Sequence, residues 1–234
     1  NKVISDGNNL GAIIMPNNEL GKDLRDIYKS TFESMGGTIL DDQFYNPDNQ
    51  DFSDELKALL IIDNSENRYR RLSANLGEFI AFEPRRRQDI DFIFLLATDI
   101  TNAKLLKSQL DYHLSGDDPI QIYSTSNIFS LRENMDDLDD VIFTDAPWVS
   151  DQQSWLRDLP TKLMKFWPGD AIQSRQNAMG YDAYFLTSKL ARQNNSYLKE
   201  FNGATGQLYM DSENKIRRRL AWAKLIDGKT EVSK

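Results

Sequence analysis

Few side chains in this 234-residue sequence have the chemistry of a catalytic base, a nucleophile or a metal ligand. His113 is the only histidine, and there is no cysteine. His113 stands late in an amphipathic stretch, "LDYHL", which reads as a surface or helix-end position rather than a base beside a nucleophile. Without cysteine, a second histidine or an H-E-x-x-H pattern, the donors of a zinc site are missing. Disulfides and thiol nucleophiles fall with the cysteines. Asp48, Asp51, Asp54 and Glu55 crowd one polar loop, but the glycine and closing glutamate of an EF-hand are not at the required spacing. They read as a solvated loop that caps the next helix. The acidic run Asp136, Asp137, Asp139 and Asp140 reads as solvated in the same way.

Phosphate chemistry has no better footing. Neither G-x-x-x-x-G-K-[ST] nor G-x-G-x-x-G occurs. "NGATG" at residues 202–206 has two glycines, but it follows a helical pattern and precedes a strand, the reverse of a phosphate cradle. It reads as a turn. The G-x-S-x-G elbow of a serine hydrolase is also missing. No cofactor is implied. What remains is two runs of three arginines, Arg85, Arg86, Arg87 and Arg217, Arg218, Arg219. In an acidic chain these are local positive patches. Each is a solvated strand flank or an anchor for an acidic partner, because guanidinium pairs bidentately with carboxylate.

The elements that must hold these groups alternate. Ala12, Ile13, Ile14 and Met15 form an apolar run before Pro16, as a central parallel strand would. Leu20, Leu24, Ile27, Tyr28 and Phe32 have helical spacing, and Gly36 and Gly37 end that helix. A second strand is expected over residues 38–44 and the clearest one over 92–97. Thr101 is the expected N-cap of a helix bearing Leu105, Leu106 and Leu110. Further strands are expected at 119–123 and 141–143. The last third differs. Two helical patterns run through Trp155, Leu156, Leu163 and Phe166 and through Ala178, Tyr181, Tyr184, Phe185 and Leu190. A strand pair is then expected, one strand around Leu208 and Tyr209 and the other around Leu220, Trp222 and Leu225, adding antiparallel edge strands to the sheet.

Strand followed by helix, repeated, predicts a doubly wound, mainly parallel α/β sheet in which residues 12–15, 92–97, 121–123 and 141–143 share one sheet. In such sheets the carboxyl ends of the strands line a cleft. Those ends carry Asn17, Asn18, Thr98, Asp99, Ser124, Thr125, Thr144 and Asp145, a short polar set with few aromatics for stacking. The formal net charge of -8 disfavours nucleic acid and anionic membrane surfaces. No apolar run approaches the roughly 20 residues of a membrane span. The chain opens on Asn1, so any export signal or lipid anchor is expected outside it.

Four blocks carry a resemblance. "RYRRLSANLGEFIAFEPRRRQDIDFIFLLAT" at residues 68–98, "VIFTDAPW" at 141–148, "AMGYDAYFL" at 178–186 and "FNGATGQLYMDSENKIRRRLAWAKLIDGK" at 201–229 resemble, in order, the C-terminal domain of the LpoA family of penicillin-binding protein activators. "GYDA" and "GATG" are also similar to the wider type I periplasmic binding-protein superfamily. The resemblance implies a periplasmic lipoprotein, anchored to the outer membrane through a lipidated N-terminus absent from this chain. It implies contact with a class A penicillin-binding protein, stimulation of peptidoglycan cross-linking, and no enzymatic activity. It further implies a binding-protein-like fold with an incomplete first lobe: residues 1–149 as a second-lobe sheet unit, 150–200 as a helical segment of the first lobe, and 201–234 returning to the second. Trp155, Phe166, Trp167, Tyr181 and Phe185 would then lose packing partners, favouring a homo-oligomer. Two functions compete: a docking module, with the arginine runs as its patch and peptidoglycan as a second partner, and a receptor for an amino-acid-like ligand in the cleft.

Overall fold

The computed structural model describes residues 2–79, 81–114, 119–150, 156, 162, 165, 166, 174–192 and 200–233. Of the expected helical pattern through Trp155, Leu156, Leu163 and Phe166, Trp155 and Leu163 lie outside the described residues, while Leu156 is buried and Phe166 exposed. The chain forms two compact units, Asn1–Ser130 and Leu131–Lys234.

The first unit opens with a short helix α1 (Lys2–Ser5) and strand β1 (Leu10–Pro16). Helix α2 (Glu19–Ser34) leads to β2 (Thr38–Tyr45); α3 (Ser53–Leu59) and α4 (Ile62–Leu76) then precede β3 (Phe92–Leu95). Helix α5 (Ile100–Leu114) and β4 (Gln121–Ser124) complete the unit. The strands pair in parallel in the order β4-β3-β1-β2. Ala12, Ile13, Ile14, Met15, Phe92 and Ile93 are wholly buried, as strands covered on both faces require. Gly11 admits the ring of Phe92: a Cβ there would lie 2.2 Å from it. Phe92 in turn meets Phe32 and Tyr123 edge-on, while Tyr28 stacks on Phe94 at 3.9 Å, fixing α2 to the sheet.

Two local expectations are corrected. Helix α2 forms as its spacing predicts, but Leu20 and Ile27 are exposed, so its contact stripe is narrower than its apolar stripe. The N-cap of α5 is Asp99 rather than Thr101: the Asn102 N–H donates to Asp99 Oδ1 at 2.9 Å, two residues earlier than expected.

The second unit contains β5 (Ile142–Asp145), a short helix α6 (Pro147–Ser150) and helix α7 (Arg175–Arg192). Five strands accompany them: β6 (Phe201–Asn202), β7 (Gln207–Met210), β8 (Ile216–Arg219), β9 (Ala221–Ile226) and β10 (Lys229–Val232). Strand β9 lies antiparallel between β5 and β10, turning at Asp227 and Gly228, both at positive φ. The expected pairing of Leu208 and Tyr209 with residues 220–225 is corrected. Leu208 and Tyr209 face Arg218 and Arg217 in a separate three-stranded sheet, β6-β7-β8. A tight turn does this: Asp211 N–H donates to the Lys215 carbonyl, and Asn214 takes a positive φ. The chain is thus a mixed α/β fold, parallel in the first unit and antiparallel at β9 and β10.

Candidate functional site

In the first unit the strand ends are engaged in holding the fold. Asn18 caps α2, its Oδ1 accepting from the Gly21 N–H at 2.7 Å, and the Asn17 N–H donates to the Tyr45 carbonyl. Thr98 and Asp99 form a closed set with Asn102. Thr98 Oγ1 donates to Asp99 Oδ2, and Asn102 Nδ2 donates to both Thr98 Oγ1 and Asp99 Oδ2. Buried Ser124 donates to the Leu95 carbonyl across the β3–β4 pair. Thr125 Oγ1 is buried and meets no hydrogen-bond partner among the described residues. The Tyr45 hydroxyl donates to the Leu96 carbonyl, and burial pushes its pKa up to about 12, so it stays a neutral donor. Of the six expected cleft residues in this unit, Asn17, Asn18 and Asp99 are exposed, while Asn18, Thr98, Asp99 and Ser124 carry structural hydrogen bonds through their side chains. This arrangement is suited to rigid strand ends and leaves little free to grip a small ligand.

The second unit repeats the pattern with stronger groups. Asp145, 1% exposed, accepts a two-pronged pair from Arg175: Nε at 2.8 Å and a terminal nitrogen at 2.6 Å. Its neighbour Thr144 faces Trp222 in register across β5 and β9. Asp182, 3% exposed, accepts from the Ala204 and Thr205 N–H groups at 2.7 and 2.8 Å and from the Thr205 hydroxyl at 2.6 Å. The "GATG" turn is therefore docked on the carboxylate of "GYDA". Gly203 lets it approach, since a Cβ there would lie 2.7 Å from the Asp182 oxygens. The Trp148 N–H joins from α6 by donating to the Ala204 carbonyl. Sequence reasoning missed Arg175 and Asp182. The signal available was that "GYDA" and "GATG" are both unusual and both contain groups that need a partner when buried.

The arginine runs separate. Arg85 is exposed, but Arg86 is 7% exposed and donates to the Arg87 carbonyl. Arg87 clasps Asp89 with Nε and a terminal nitrogen at 2.7 and 3.0 Å and reaches Asp41 at 3.4 Å. That corrects the expectation of a solvated or docking run: two of its three guanidiniums are part of the interior. Arg217, Arg218 and Arg219 are all exposed on β8, an edge of the small sheet. Arg217 pairs with Asp211, and Arg219 pairs with Glu200 and lies over the Tyr209 ring. The second run forms a strand of its own, in the other unit from the first run.

His113 sits in the last turn of α5, where burial, followed by Lys57, lowers its pKa and favours the neutral ring. No group of three His, Cys, Asp or Glu able to hold a metal occurs among the described residues. On α7, Tyr181 stacks on Phe185 and Phe185 on Phe201, while Met179 and Tyr184 are exposed. Among the described residues no helix is long and apolar enough to cross a membrane.

A family model described as LppC putative lipoprotein matches residues 1–228. A relative named penicillin-binding protein activator LpoA, from Vibrio antiquarius, is 22% identical over 223 residues, covering 94% of this chain. The chain spans 36% of that relative's length, about a third. Among solved structures, the LpoA C-domain from Haemophilus influenzae, described as a regulator of PBP1A, is similar with a TM-score of 0.65 and 20% identity. The likeness covers 99% of this chain and 64% of that one. A putative branched-chain amino acid ABC transporter protein from Rhodospirillum rubrum is similar with a TM-score of 0.73 and 17% identity, covering 99% and 62%. These likenesses show that the chain shares its fold with the LpoA C-domain and with that transporter protein.

Proposed function

Because the chain belongs to the LppC putative lipoprotein family, we propose that it is a non-catalytic regulator that docks on a class A penicillin-binding protein and stimulates its peptidoglycan cross-linking. It acts in the periplasm from the outer-membrane side. One observation carries the reading: relatives that match 94% of the chain are named penicillin-binding protein activators. The internal hydrogen bonding of Asn18, Thr98, Asp99, Ser124 and Asp145 supports it over a ligand receptor, because five of the eight polar groups a cleft would offer are engaged within the fold. Fold likeness to an amino-acid transporter component does not move function with it.

The test is a cross-linking assay. A purified class A penicillin-binding protein is given lipid-linked disaccharide-peptide with and without this chain, and the cross-linked fraction is measured over time. The expected result is a faster rise that saturates with added chain. An unchanged rate at saturating chain contradicts the proposal. Titration calorimetry with leucine, isoleucine and valine runs beside it; saturable one-to-one heat would favour the receptor instead.

A further inference from the structure

The positive surface exposed in the first unit does not centre on its arginine run. Helix α4 carries Arg68, Leu72 and Leu76 at four-residue spacing, one stripe along the helix, with Arg71 beside it. All four are exposed. Gly77 ends the helix at positive φ. The chain then returns along the helix: Phe82 stacks on Tyr69 at 4.3 Å, the Arg85 N–H donates to Ser65 Oγ, and the Arg87 N–H donates to the Leu60 carbonyl. Helix and return segment therefore form one surface. At its tip Phe79 is 94% exposed, alongside Leu72 and Leu76 at 51% and 59%.

This surface is unlike the rest of the protein. Residues 67–85 hold four arginines against two glutamates in a chain of net charge -8. Arg68, Arg71 and Arg85 make no ion pair with the described residues, whereas Arg87 pairs with Asp89 and Arg217 with Asp211. Between Lys57 and Lys104 every basic side chain is arginine. Arginine gives the planar fork that matches carboxylates, and unlike lysine it is enriched at protein interfaces. Large apolar groups ringed by such forks fit a protein surface of opposite charge. An anionic bilayer fits less well, since the remainder of the chain would be repelled.

We propose that the outer face of α4 and its return segment docks an acidic segment of the synthase, with Leu72, Leu76 and Phe79 as the apolar anchor and Arg68, Arg71 and Arg85 as carboxylate partners. The assignment rests on the activator reading above. The test measures binding of this chain to a purified class A penicillin-binding protein at low and moderate salt. It compares the wild type with Arg71→Glu, Phe79→Ser, the double variant, and Arg217→Glu on β8. Every changed side chain is exposed, and melting curves check the fold; Arg71→Gln replaces Arg71→Glu if the latter melts early. The wild type should bind, and more weakly as salt rises. The double variant should bind roughly tenfold more weakly or worse and with a flatter salt dependence, with Arg217→Glu within about twofold of wild type. Wild-type binding with an unaffected double variant overturns this assignment and leaves the activator reading standing. No binding by the wild type overturns the activator reading and the assignment together. Vesicles of phosphatidylglycerol and phosphatidylethanolamine are a further probe. If the double variant loses vesicle binding and keeps the synthase, the face belongs to lipid and the assignment falls.

Discussion

Arg85, Arg86 and Arg87 in the first unit and Arg217, Arg218 and Arg219 in the second are the same three letters with opposite surroundings. The first run leaves α4's return segment and enters the interior, where Arg87 finds Asp41 and Asp89 and Arg86 holds a backbone carbonyl. The second lies on an edge strand, with Arg217 and Arg219 in solvent-facing pairs. Charged edge strands of this kind also deter pairing with other chains. Residue type thus marks a positive run, but only the neighbouring elements decide whether it is a brace or a surface.

The strongest way to break that contrast is Arg87→Ala. It removes a largely buried side chain that packs against the fold and bonds Asp89, Asp41 and the Leu59 carbonyl, and should lower stability by about 2.5 kcal/mol, a fall in Tm of roughly 5–10 °C. A melt within 1 °C of wild type, measured by circular dichroism, would put the first run back among surface groups.

Gly206→Ala sharpens the contrast from the other side. For the second run the backbone matters more than the side chains. Gly206 has φ +141°, and a Cβ there would lie 2.3 Å from the Arg219 carbonyl oxygen. Denaturant unfolding should show a loss of about 2 kcal/mol.

The pH dependence follows from the carboxylates. Hydrogen bonding from Arg87 lowers the pKa of Asp89. A depressed folded pKa gives stability that is present above the unfolded value of about 3.9 and lost as pH falls through the folded one. Wild type should therefore lose stability below about pH 4, and the Arg87→Ala profile should be flatter in that window because Asp89 loses the main cause of its lowered pKa. Parallel profiles would contradict the Arg87–Asp89 account.

The smallest effects belong to Arg217→Ala, Arg218→Ala and Arg219→Ala. Each should shift stability by no more than about 0.5 kcal/mol, as exposed pairs do. A loss near that of Arg87→Ala in any of them would erase the distinction between the runs.

How far the sequence could be read varies with the range of the contact. Apolar runs revealed β1 and β3 because a strand buried on both faces has no other composition. The spacing in α2 gave a helix but not its contacts, since Leu20 and Ile27 follow the period without a partner to cover them. Asp99 and Thr101 are both good caps two residues apart, and the choice lay in Asn102 reaching back. The small sheet depends on the turn from Asp211 to Lys215, whose only local signals are Asp211, Ser212 and Asn214. The Asp182–Thr205 and Asp145–Arg175 contacts span 23 and 30 residues and leave no local trace. The strand ends named from the sequence were in place, but local propensity cannot tell a polar group facing a cleft from one already hydrogen-bonded.

Hydrogen–deuterium exchange of this chain with and without a purified class A penicillin-binding protein tests the central claim most directly. The account predicts slowed exchange at residues 68–82, with residues 216–219 and the strand ends at Asn17, Asn18, Thr98 and Thr125 unchanged. Slowed exchange at β8 or at the strand ends, with residues 68–82 unaffected, would contradict it.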